Sequence, residues 1–318
     1  MSNLPAWLSA ARPRTLPLSL SGILVGAATA YDVLNNCETV ACKVHVNHDG
    51  SSWYWWVLAL ALLTTVSFQV LSNFANDYGD GVKGTDNEDR IGPMRALQSG
   101  AITAAQMKKA IIITSAISVL FTLALIRVSF GTDAWLEALF FLVLGIVAIG
   151  SAIKYTVGGS AYGYRGLGDV FVFLFFGLVA VVGTHYLLTR QIPAGDVWFM
   201  ATAVGLLSTA VLHLNNMRDI VSDRKVGKMT LAVKMGGDRS KRYHSLLILG
   251  AFSCALVAEF WQDSWVHMLY LIPFSYLLVH LYRVWNQTEP QLLDPELKRV
   301  ALSTFAMALL FFAAHVIF

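Results

Sequence analysis

Residues 53–80 read WYWWVLALALLTTVSFQVLSNFANDYGD, and the rest of the chain can be interpreted from this stretch. No charged residue occurs from Trp53 to Ala75, and then Asn76, Asp77 and Asp80 follow at once. A helix needs about 20 apolar residues to cross the hydrocarbon core of a bilayer. The Trp/Tyr tract at one end of the run has the chemistry of an interfacial belt. Eight further runs of this kind are present, at 16–31, 110–126, 138–153, 170–189, 197–217, 245–258, 264–282 and 300–318. Nine such runs in succession, joined by polar loops, exceed what one soluble core can house. The composition agrees: the 318 residues are 56% hydrophobic and 14% charged, with a mean hydropathy of +0.58. Soluble domains carry about 25% charged residues. A water-soluble enzyme, a disordered chain and a disulfide-framed secreted module are therefore excluded. The expectation is an all-α, polytopic membrane protein with nine transmembrane helices. No hydrophilic stretch suffices for a second unit, so residues 1–318 read as one transmembrane domain.

Lys and Arg orient the bundle. With the N-terminus inside and nine spans threaded, all but three of the 23 basic residues fall on inside segments; the exceptions are Lys43, Arg127 and Arg190. The N-terminus is thus expected in the cytoplasm and the C-terminus outside. Arg12 and Arg14 ahead of a run ending Ala28-Thr29-Ala30 also suit a signal peptide. Retention is favoured, because that basic segment carries part of a motif named below. Segment 32–52 reads as an outside insertion. Its Cys37 and Cys42 can pair if that side is oxidising, and its His45 and His48 offer a weaker metal reading. Cys254 reads as an apolar filler.

The acids lie in two clusters, both on the inside. One, Asn73 with Asn76, Asp77 and Asp80, closes the second run; the other, Asn215 with Asp219 and Asp223, closes the sixth. Asp77 and Asp80 are spaced i,i+3 and Asp219 and Asp223 i,i+4, so each pair shares one face of a continuing helix. For a single acidic pair, solvated loop residues would be the better account. Two pairs, each preceded by Asn and followed by Gly and Lys, favour an oxygen-rich site for Mg²⁺, which bridges to substrate phosphates. No Cys/His cluster supports zinc. The repetition at equivalent helix ends suggests an internal duplication, although the motifs do not align without a gap. Four carboxylates balance two Mg²⁺ ions, which leaves the diphosphate charge to basic residues. The candidates are Lys83, Arg90, Arg95, Lys154, Arg218, Arg224 and Lys228, most of which also serve the positive-inside pattern.

These motifs resemble the two aspartate-rich motifs of the UbiA superfamily of intramembrane prenyltransferases, whose fold is a nine-helix bundle. Stretches 76–93, 12–17 (RPRTLP), 155–169 (YTVGGSAYGYRGLGD) and 215–219 (NNMRD) resemble, more narrowly, the 1,4-dihydroxy-2-naphthoate polyprenyltransferases of menaquinone synthesis. The likeness runs in order along nearly the whole chain except 32–52. Many superfamily members carry a third aspartate where this chain has Gly84; Asp86 sits two residues later and is the weaker ligand candidate. The resemblance implies transfer of a polyprenyl chain from its diphosphate to 1,4-dihydroxy-2-naphthoate with decarboxylation, giving demethylmenaquinol. It implies Mg²⁺, two ions, on Asp77, Asp80, Asp219 and Asp223 with Asn73 and Asn76. The partners are the two substrates and the bilayer of the inner membrane, with the site facing the cytoplasm and no nucleic acid. Tyr155, Tyr78 and Asn73 are candidates to stabilise the allylic cation through π faces and an amide oxygen; interfacial packing explains Tyr78 better. Lys154 and Arg165 are candidate contacts for diphosphate or the acceptor carboxylate, and among the histidines only His213 stands close to a motif. 4-Hydroxybenzoate is the alternative acceptor. A secondary transporter is the rival from another class, but its acids would sit at mid-membrane. A lipid phosphotransferase lacks its Asp-Gly…Ala-Arg pattern here.

Overall fold

The computed structural model describes residues 4–35, 51–85, 91–261 and 265–317. Cys37, Cys42, His45, His48, Asp86 and Arg90 lie outside the described residues. Among those described, every regular element is helical. Helix α1 (Leu4–Ala11) stops at Arg12, whose φ of 51° is left-handed. The following Pro13 disfavours α geometry at that position, and α2 (Leu16–Asn35) starts afresh beyond it. Then come α3 (Ser51–Val82), α4 (Ala104–Phe130) and α5 (Trp135–Lys154). Next are α6 (Gly168–Thr189) and α7 (Gly195–Arg218), followed by the short α8 (Ile220–Lys225) and α9 (Leu231–Met235). Helices α10 (Gly237–Ala258), α11 (Ile272–Asn286) and α12 (Asp294–Ile317) complete the chain.

Eight of these, α2–α7, α11 and α12 with their adjoining turns, are long and apolar enough to cross a membrane. The remaining expected run, 245–258, falls on α10. That helix has 22 residues, about 33 Å at ~1.5 Å per residue. Its first half carries Asp238, Arg239, Lys241 and Arg242, so only the second half is hydrocarbon-like. Outward-facing surfaces suit lipid. Ile112, Ile113 and Leu120 on α4, and Leu136, Phe140, Val143 and Ile146 on α5, are exposed. A contiguous apolar face of this kind is not sustained in water.

Helix α7 is the central post, packed by α2, α6, α10 and α12. Small residues allow these backbones to approach closely. On α2, a Cβ at Gly22 would stand 2.6 Å from Phe176 O, and one at Gly26 only 2.2 Å from Val181 O of α6. The segment Phe173–Val179 of α6 is π-helical, and its Gly177 backs onto Gly205 of α7. Wide turns of this type frequently sit near functional sites.

Candidate functional site

The first motif occupies the last turns of α3. The helix runs through to Val82, so Asp77 and Asp80 share a face, and both are buried, at 1% and 2% exposure. Asp80 is held at both oxygens. The Tyr164 hydroxyl donates to Oδ1 at 2.8 Å, and Arg95 Nη1 donates to Oδ2 at 2.8 Å and to the Asn76 carbonyl at 3.0 Å. Asp77 Oδ1 is buried with no hydrogen-bond partner. Between them, Gly79 lies against Thr156, whose hydroxyl donates to the Ala75 carbonyl at 3.0 Å and to Asn76 Oδ1 at 3.3 Å.

The second motif straddles a break. Helix α7 ends at Arg218 and α8 resumes at Ile220, yet the Asp223 N–H still donates to the Asp219 carbonyl at 2.8 Å. The i,i+4 relation therefore survives. Arg218 is fully buried and grips Asp219 as a fork, Nε to Oδ1 at 2.8 Å and Nη2 to Oδ2 at 2.7 Å. Its remaining donors go to Asn215 and to Asp294 of α12. Asp223 Oδ1 lies 3.5 Å from Lys228 Nζ, while Oδ2 is buried without a hydrogen-bond partner.

Tyr164 joins the two motifs. Its hydroxyl holds Asp80 and pairs with Thr85 at 2.5 Å. Its carbonyl accepts from the Met229 N–H at 3.1 Å. Lys83 Nζ sits 3.9 Å from its ring centroid and Lys228 Nζ 5.7 Å. Burial disfavours the Lys228 charge, but the Asp80 and Asp223 carboxylates outweigh it and hold the ammonium above the ordinary lysine range. Burial pushes Asp223 up to about 6, reinforced by Asp219 and Asp80 and opposed by Lys228. Burial first, then the fields of Asp80, Asp169 and Asp223, raise the Tyr155 phenol, so it stays protonated. Tyr155 thus shares the electrostatic field of both motifs. Its ring leans on a glycine cleft; a Cβ at Gly163 would stand 2.9 Å from Tyr155 Cε2. From it an aromatic row runs onto α6: Tyr162 at 5.3 Å between centroids, then Phe171 stacked on Tyr162 at 4.0 Å.

The structure gathers Asp77, Asp80, Asp223, Arg95, Lys83, Lys228 and Tyr155 and commits other candidates elsewhere. Arg218 commits four of its five N–H donors to Asp219, Asp294 and Asn215, so it anchors the motif within the bundle. Asn73 uses its amide nitrogen on the Ala11 carbonyl at 2.8 Å and Thr15 Oγ1 at 3.2 Å. Gln69 and Ser19 complete that polar tie between α2 and α3. Asn76 meets Thr156 and Arg95. Lys154 and Arg165 are exposed, and Arg165 contributes its carbonyl to Lys234 at 2.6 Å. His213 pairs with Asp169 at 3.1 Å in the bundle interior. Tyr164, Thr85, Thr156, Gln69, Thr15 and Asp294 were not singled out by the sequence. The only signal for Tyr164 was its place in a glycine-rich aromatic loop.

Among the described residues no three His, Cys, Asp or Glu side chains converge as a closed metal cage. Each motif instead keeps one buried, unpartnered carboxylate oxygen, on Asp77 and on Asp223, as a hard ligand, and Lys228 lies beside the second. That suits a divalent cation such as Mg²⁺, which takes its remaining ligands from water and phosphate.

The model of the "UbiA prenyltransferase family" matches residues 46–310. The chain is 42% identical to 1,4-dihydroxy-2-naphthoate octaprenyltransferase of Escherichia coli (strain K12), over 98% of this chain and 95% of that one. It is 41% identical to the protein of the same name from Haemophilus influenzae, over 97% and 95%. Among solved structures it is similar to a UbiA homolog from Archaeoglobus fulgidus bound to GPP and Mg²⁺. There the TM-score is 0.63 and the identity 16%, over 98% of both chains. Digeranylgeranylglyceryl phosphate synthase gives a TM-score of 0.59 and 15% identity over 99% of both chains. These two structural likenesses speak to the fold.

Proposed function

The chain belongs to the UbiA prenyltransferase family, and from that premise we propose that it transfers a polyprenyl chain from polyprenyl diphosphate to 1,4-dihydroxy-2-naphthoate with loss of carbon dioxide. Relatives of that name match it nearly end to end. The observation that supports the reading is the meeting of the two motifs at Tyr164, each motif keeping one buried, unpartnered carboxylate oxygen, on Asp77 and on Asp223.

When bound, Mg²⁺, as one ion or two, supplies stabilisation of the negative charge that develops on departing diphosphate. Asp77 and Asp223 are the first candidates to hold it, with Asp80 and Asp219 behind them and Asn73 and Asn76 as outer oxygens. Lys228, Arg95 and Lys83 offer positive charge to the leaving group, and such charge is worth most where water is excluded. Tyr155 stays protonated in the field of both motifs, and the face of its ring supplies π density that favours an allylic cation. Tyr162 and Phe171 extend that face along the prenyl tail. Each buried CH₂ contributes about 0.8 kcal/mol, so a polyprenyl tail stays in lipid, and the site is reached sideways from the bilayer.

The arrangement is read as one domain with α10 as a ninth span, the N-terminus and the site at the cytoplasmic face of the inner membrane, and the C-terminus outside. The test is purified protein with prenyl diphosphate, Mg²⁺ and either 1,4-dihydroxy-2-naphthoate or 4-hydroxybenzoate. Prenylated naphthoquinol with only the first acceptor is the expected result. Turnover of 4-hydroxybenzoate alone overturns the acceptor assignment. Absence of product together with metal-independent solute flux overturns the enzyme reading. Asp77→Ala, Asp80→Ala, Asp219→Ala and Asp223→Ala are each expected to abolish transfer while the protein still inserts.

A further inference from the structure

Lys228 differs from the other cations of the site in how it is held. Its backbone is pinned to the second motif and to the Tyr164 loop: its N–H donates to the Asp223 carbonyl at 2.8 Å, and the next residue's N–H donates to the Tyr164 carbonyl at 3.1 Å. Gly227 before it takes a φ of +74°, which closes this turn. The side chain, 10% exposed, reaches back so that Nζ lies 3.5 Å from Asp223 Oδ1. There it is within the field of Asp80 and over the edge of the Tyr164 ring. Arg95 and Arg218, by contrast, are tied down by several directed bonds each. A lysine is a point charge on a flexible four-carbon stem, and it can change partners without moving its backbone.

We propose that Lys228 is a counter-ion that a divalent cation and the diphosphate exchange between them: its ammonium holds Asp223 and Asp80 together, competes with metal for those carboxylates, and passes to a phosphate oxygen when metal and diphosphate bind together. The idea rests on the prenyltransferase reading and adds an ordering rule to it. Asp80 and Asp223 are buried like charges from opposite halves of the chain, and such a pair needs a cation between them. A metal ion arriving alone must push a like-charged ammonium off its carboxylates. A metal ion arriving with diphosphate gives that ammonium a new anionic partner, and no charge is left unpaired. Metal and diphosphate therefore bind with positive coupling, and such couplings are typically about 5–150-fold. Productive loading is of the two together.

The experiment uses the full chain in detergent micelles. Mn²⁺ alone is titrated and read by its paramagnetic resonance signal, and an unreactive prenyl thiodiphosphate is titrated at saturating Mg²⁺. Lys228→Met is expected to bind Mn²⁺ alone about tenfold more tightly than the wild type and the analogue about tenfold more weakly, consistent with couplings of that size. Lys228→Arg, which keeps the charge, should leave Mn²⁺ affinity within about twofold. A merely structural lysine would weaken both ligands together and lower the melting temperature. Unchanged or weaker Mn²⁺ binding by Lys228→Met, with a wild type that binds the analogue, overturns the counter-ion role and leaves the prenyltransferase reading standing. A wild type that does not bind the analogue at all overturns the reading itself. If Lys228→Met loses its cooperative melt, Lys228→Gln is read by the same criteria.

Discussion

Replacing Gly79 by alanine pits two effects against each other at the centre of the site. In a helix interior Gly→Ala is normally favourable by about 1 kcal/mol. At position 79, however, the new Cβ would stand 2.5 Å from Thr156 Oγ1 and 2.8 Å from both the Thr156 backbone carbon and its Cβ. Carbon atoms settle at about 3.5–4.0 Å, so α3 and the 155–156 segment must part by about 1 Å. Overpacking of this kind costs about 1–3 kcal/mol, which leaves a net loss of ~0–2 kcal/mol. The chemistry should suffer more than the fold, because the parting separates Asp77 and Asp80 from Tyr155 and Tyr164. A 1 Å misplacement can cost about 100-fold in rate. Gly150 of α5 is the control: nothing lies within 4 Å of its Cβ position. Gly150→Ala should keep its rate and gain up to about 1 kcal/mol. The measurements are thermal unfolding in detergent and the rate of prenyl transfer at saturating substrates. If Gly79→Ala turns over like Gly150→Ala, the close approach of α3 to Thr156 does not set the site geometry.

Three further predictions follow from neighbouring contacts. Tyr164→Phe keeps the ring under Lys83 and Lys228 but removes a hydroxyl bonded to the Asp80 carboxylate; hydrogen bonds to charged groups contribute about 1.5–3 kcal/mol, and a melting temperature equal to wild type would contradict it. The raised Asp223 carboxyl makes a signed pH prediction. Because its folded value of about 6 exceeds the unfolded one, its contribution to stability is complete below about pH 4 and is lost as pH rises through about 6, by at most ~3 kcal/mol. Measured in EDTA, the wild type should therefore lose stability over that range relative to Asp223→Asn, and parallel curves would refute it. Asn73→Ala should release the Ala11 carbonyl and Thr15; faster proteolysis near residues 11–15, with the bundle otherwise intact, is the expected outcome.

The spans were legible because the bilayer requires an unmistakable pattern: a run such as 53–75 has no soluble alternative. Helix α10 was only half legible, since its charged first half breaks the pattern that its second half satisfies. The pairing of Asp77 with Asp80 and of Asp219 with Asp223 was legible from helical spacing, even across the break at Asp219. What the residues do with their other atoms was not. Arg218 has the right chemistry for a phosphate contact but spends it on Asp219 and Asp294, and the Asn73 amide nitrogen is spent on Ala11.

The sequence by itself determined that the chain must cross a membrane and where its acids lie, because hydrophobic burial and helical periodicity act on neighbouring residues. Only the tertiary structure decided which of those acids keep an unpartnered oxygen and which cations face them. Tyr164 reaches Asp80 across 84 residues and Arg218 reaches Asp294 across 76. Contacts of that span arise from how whole helices pack, and no local pattern records them.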